Sequence, residues 1–78
     1  MIQPLDELRA VVAATPPAAP AMTSYLAKVA DRAYTVTDAD VQALAAAGCS
    51  EDEIFEQTVA VAIAQGLRRF DAASAVIG

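Results

Sequence analysis

Apolar residues recur along this chain at helical spacing, and nowhere do they alternate long enough to predict a strand. Leu5, Leu8 and Val12 mark a first helix over residues 4–14. Pro4 suits its first position, where a missing N–H costs nothing, and Asp6 and Glu7 lie in the turn that favours negative charge. The stretch "TPPAAPA", residues 15–21, carries three prolines in five positions and reads as a short stiff linker. Met22, Tyr25, Leu26, Val29 and Ala33 then fall on one face of a second helix, about residues 21–33.

The next two helices announce their own starts. Thr37 is a good N-cap with Asp40 three residues on, and Val36 outside the cap can pack on Val41. This predicts a short helix over about 38–47, ended by Gly48 in the left-handed position that closes many helices. Ser50 and Glu53 form a second capping box, and no proline follows. One long helix is expected over about 51–75. The pattern predicts an all-α fold of four helices in a single domain, residues 1–78, with the last two joined at a tight corner.

The long helix is apolar on two sides. At 100° per residue, Phe55, Val59, Ala62, Ile63, Gly66, Leu67, Phe70 and Ile77 gather on one broad side, read as the core face. Gly66 in its middle is either the mark of a neighbouring backbone at close range or a simply tolerated glycine. Ile54, Val61 and Ala72 lie opposite, with Thr58, Gln65 and Arg68 among them, where an ordinary surface helix would be charged. Three short helices can cover one side and part of a second, so Ile54, Val61, Gln65, Arg68 and Ala72 are the expected interface with another chain; the alternative is an alanine-rich side that simply faces water. Arg68 either pairs with Asp71 or Gln65 on its own helix or reaches a carboxylate, Glu56 or Asp71, of a partner.

Composition narrows the classes. The chain has 78 residues, 56% of them apolar, but twenty are alanines, which bury little area. The net charge is −5 and the five basic residues form no stripe, which argues against nucleic acid and against an anionic membrane surface. The first residues lack the pattern of a secretory signal, and the uncharged run 57–67 is only 11 residues where a membrane span needs about 20. A cytoplasmic protein is expected. One cysteine cannot make an internal disulfide, and without histidine a zinc site has too few ligands.

Candidate chemistry comes down to Cys49 and the acids. Cys49 precedes the Ser50 cap, where a small apolar residue packs against Ile54; a helix N-terminus also lowers a thiol's pKa, so Cys49 is the one candidate redox-sensitive thiol. Asp38, Asp40, Glu51, Asp52, Glu53 and Glu56 are candidate acids, most of which the helix dipole already accounts for. Tyr25, Tyr34, Phe55 and Phe70 are the candidate lining of a ligand pocket, though no spacing rule brings them together.

The stretch "ALAAAGCSEDEIFEQTVAVAIAQGLRRFDA", residues 43–72, resembles the second half of the carboxymuconolactone decarboxylase and alkylhydroperoxidase D-like superfamily. The shared features are a short helix ending in Ala-Gly, an apolar residue, a capped acidic start and a long apolar helix; "YTVTDADVQAL" before it fits the small, degenerate members. The resemblance spans roughly residues 22–75 and implies an all-helical fold that assembles through its long helices. Enzymes of that group carry a Cys-x-x-Cys and a histidine just upstream of the corner. Counted back from Gly48, those positions hold Ala33, Val36 and Asp40 here, and Cys49 lies elsewhere. The resemblance therefore implies shape and association without the chemistry. No catalytic, cofactor-binding or metal-ligating residue is assigned. The expected function is a non-catalytic, self-associating accessory or scaffold subunit; the alternatives are a module docking on a larger enzyme complex, or a small-ligand binder.

Overall fold

A computed structural model describes residues 4–77, so residues 1–3 and 78 of the expected domain lie outside the described residues. The described residues form α1 (Pro4–Ala14), α2 (Thr23–Arg32), α3 (Asp38–Ala46) and α4 (Glu51–Ile77), with no strand among them. The fold is all-α, as the pattern predicts. The second helix is a composite: 3₁₀ turns at Pro20–Met22 and Ala33–Thr35 bracket α2. The last helix runs two residues beyond the expected end.

Local chemistry sets each boundary. Thr37 caps α3: the Asp40 N–H donates to its Oγ1 at 3.4 Å while the Thr37 N–H donates to Asp40 Oδ2 at 3.0 Å. Ser50 and Glu53 do the same for α4, at 3.1 and 3.2 Å. Between them the chain turns through Gly48, whose φ of +97° strains any residue with a Cβ. There the Gly48 N–H donates to the Ala45 carbonyl and the Cys49 N–H to that of Leu44, at 3.1 and 3.0 Å. These two bonds satisfy carbonyls the helix end would otherwise orphan.

Helix α4 is the central rod. Arg9 pairs with Asp71 near one end, and Pro16, just past α1, accepts a hydrogen bond from Gln57 near the other, so α1 runs antiparallel to α4. Tyr25 meets Thr58, and Tyr34 shares a recess with Gln65 and Arg69, so α2 runs parallel to it. The core lies where α2, the corner and the start of α4 meet: Met22, Tyr25, Leu44, Cys49 and Ile54, with Ala19, Leu26, Val29 and Val36 packed around them.

The chain is extended for its length. Its radius of gyration is 14.2 Å, against about 11.5 Å for a compact domain of this size. Its accessible surface is 5580 Å², against about 4,450 Å² expected for a folded monomer of its mass.

Candidate functional site

The two apolar sides of α4 have in part exchanged the places expected of them. Ile54, expected at a partner interface, is 6% exposed and belongs to its own chain's core. Val61 and Gln65, about two and three turns further along that side, are half-buried. Of the expected interface residues only Arg68 and Ala72 are exposed. Conversely Phe55, expected in the core, is 71% exposed, and Phe70, Ala62, Gly66 and Ile77 are exposed with it; Val59 and Ile63 are half-buried. Leu67 alone of the expected core face is buried.

Polar side chains explain the exchange. Thr58 and Gln57 mark a solvent face on a helical wheel, yet both turn inward and find partners. Gln57 is buried, and its Nε2 donates to the Pro16 carbonyl at 2.7 Å. Thr58 Oγ1 donates to the Ile54 carbonyl at 2.6 Å and lies 2.8 Å from Tyr25 Oη. A buried polar group costs little once hydrogen-bonded, so the side with satisfiable polar atoms takes the interior. The Phe55 side is left largely outside.

What remains is an incompletely covered strip along α4, with Phe55, Ala62, Gly66 and Phe70 exposed and Val59 and Ile63 half-buried. Val11 of α1 borders it, lining one recess with Phe55, Val59 and the carboxylates Asp52 and Glu56. Val11 is itself exposed. A Cβ built on Gly66 would meet nothing within 4 Å, so the close approach its sequence position suggests is not made by its own chain.

Lys28, Asp40, Arg9 and Asp71 are spent on structure. Lys28 holds both oxygens of Asp40, at 3.0 and 3.1 Å, tying α2 to α3. A hydrogen bond with the Thr37 backbone, then the Lys28 ammonium, holds the Asp40 carboxyl below its ordinary value. Arg9 forks onto Asp71 at 2.6 and 3.1 Å and lowers that carboxyl likewise. Asp71 is thus the partner of Arg9 and not of Arg68. Arg68 lies at the edge of a shallow recess between α1 and α4, above Val12, Ala13, Ala64 and Leu67.

Cys49 is 8% exposed, in one cluster with Leu44 and Ile54. It follows the left-handed residue that ends α3 and precedes the cap that starts α4. Both motifs want an apolar residue at that point, one to meet Leu44 and the other to meet Ile54. The second contact is legible from the Ser50 cap; the first needs the hydrogen bonds of the Gly48 turn. The four aromatic rings do not converge on a pocket: Tyr25 is buried, Tyr34 is 85% exposed, and Phe55 and Phe70 look outward. Among the described residues no group of three or more Cys, Asp or Glu is placed to hold a metal ion, and no helix is long and apolar enough to cross a membrane.

No family model matches the chain, and no curated protein or solved structure matches it.

Proposed function

We propose that this is a non-catalytic helical protein that self-associates through the bare strip of α4, an accessory or scaffold subunit in role. The observation that carries the reading is the exposure of Phe55, in the second turn of a helix that its own chain covers on only two sides. The surface excess over a compact monomer, about 1,100 Å², exceeds the ~800 Å² that each partner buries in a standard interface. Burying a phenylalanine ring is worth about 1.5–3 kcal/mol, and an apolar strip rimmed by charges such as Asp52 and Glu56 is what an interface offers.

The acid–base inventory supports the non-catalytic half. A general acid at neutral pH needs a raised carboxyl pKa. The shifted carboxyls here, Asp40 and Asp71, both go down and both are engaged in ion pairs. The thiol is enclosed by the core. The likeness of residues 43–72 to the alkylhydroperoxidase D-like superfamily points the same way, toward assembly through the long helix; it rests on those residues alone.

Light scattering on the wild type beside Phe55→Glu tests the reading. The wild type is expected to run as an oligomer at micromolar concentration and Phe55→Glu as a monomer of unchanged helicity. A wild type that stays monomeric at that concentration overturns it.

A further inference from the structure

Resting on that reading, we infer that the second copy lies antiparallel along α4 about a two-fold axis near Ala60, with Glu51 of each chain facing the partner's Arg69. Glu51 and Arg69 are 18 residues apart, five turns at 3.6 residues each. They therefore project from one edge of the strip, about 27 Å apart along the rod. Both are exposed. Neither joins an ion pair: among the described residues those pairs are Arg9–Asp71 and Lys28–Asp40. Asp31 shares a recess with Arg69 but stands outside ion-pair distance.

A two-fold mate keeps the same edge on the same side and reverses its direction, so Glu51 meets the partner's Arg69 at both ends. A parallel mate, related by an axis along the rods, carries that edge to the far side of the seam and leaves Glu51 and Arg69 unmatched. Packing selects the same register. With residue 51 level with the partner's 69, Phe55 falls between the levels of the partner's Ala62 and the partner's Gly66. The largest exposed ring of the strip then lies over its smallest residues. Gly66, which nothing in its own chain approaches, is where a second backbone comes near. A parallel mate would stack Phe55 on Phe55 and leave both glycines facing empty space.

The test combines charge exchange with cross-linking. Dimer dissociation is measured by sedimentation for wild type, Glu51→Arg, Arg69→Glu and the double variant, with circular dichroism confirming that each keeps its helices. Each single reversal touches two symmetry-related pairs and is expected to raise the dissociation constant on the order of tenfold. The double variant restores it to within about threefold of wild type. In a Cys49→Ala background, Ala62→Cys lies near the axis and is expected to cross-link to itself on oxidation. Ala73→Cys would stand about 39 Å from its counterpart in the antiparallel pair and is expected to stay reduced. Self-linkage of Ala73→Cys, or a double variant no tighter than the singles, overturns the antiparallel arrangement while a dimeric wild type leaves self-association standing. A wild type that is monomeric in the same sedimentation run sinks the underlying reading instead.

Discussion

Tyr25 Oη donates its hydrogen bond to Thr58 Oγ1, at 2.8 Å. The direction follows from a count of protons. A threonine hydroxyl has one hydrogen, and that of Thr58 is committed to the Ile54 carbonyl at 2.6 Å. The tyrosine must then be the donor, and α2 is latched to α4 by a two-step relay. Thr58→Val leaves the tyrosine hydroxyl without its acceptor and should cost about 1–3 kcal/mol, the penalty of an unsatisfied buried group. Tyr25→Phe removes only the outer bond and should cost about 1 kcal/mol. Urea unfolding at one fixed protein concentration checks the order; equal costs would mean that water reaches the latch.

Gln57 governs the linker. Its bond to the Pro16 carbonyl is what a side chain on α4 contributes to holding the 15–19 segment in place. Gln57→Leu keeps the volume and deletes the donor. Elastase is expected to cut after Ala18 several-fold faster in this variant, while the far-ultraviolet spectrum is unchanged.

Cys49 should behave as a core residue. Its thiol is expected to react with Ellman's reagent only as the chain unfolds, with a labelling rate that rises with urea. Cys49→Ser places a hydroxyl where Leu44 and Ile54 offer no partner and should destabilise by about 1–3 kcal/mol. Fast labelling of the native protein would return the thiol to the list of reactive groups.

Acid should loosen both ion pairs. Asp40 and Asp71 have folded-state values below the ordinary carboxyl value of 3.8. The stability they add is fully present above that value and is lost as pH falls through the lower folded-state values. Asp40→Asn and Asp71→Asn should each flatten the fall in melting temperature between about pH 5 and about pH 2, and combined should flatten it further. An unchanged acid slope in both variants would show that other carboxylates carry it.

Gly66 separates folding from assembly. On the isolated chain a methyl group there meets nothing, so alanine should stabilise a Phe55→Glu monomer by about 0.5–1 kcal/mol through helix propensity alone. Thermal melts of the monomeric variant with and without Gly66→Ala measure this.

The helices and their ends were legible because their causes are local. Pro4 at the start of α1, the Thr37 and Ser50 caps and the turn at Gly48 act over three or four residues, and each appears where its sequence signature places it. The composite second helix was less legible, since the 3₁₀ turns at Pro20–Met22 and Ala33–Thr35 depend on how the chain enters and leaves the core. The candidate surface was legible as a fact about α4, which has more apolar perimeter than its neighbours cover. Which side would be bare was not legible.

By itself the sequence determined an all-α chain, its boundaries and an over-provisioned last helix, because capping, turn chemistry and periodicity are short-range. The tertiary structure alone decided that Ile54 goes inside and Phe55 outside. That choice depends on whether Thr58 finds Tyr25 and Gln57 finds Pro16, 33 and 41 residues away. Hydrogen-bond partners that distant leave no trace in the local pattern, and the burial of a helix face follows them.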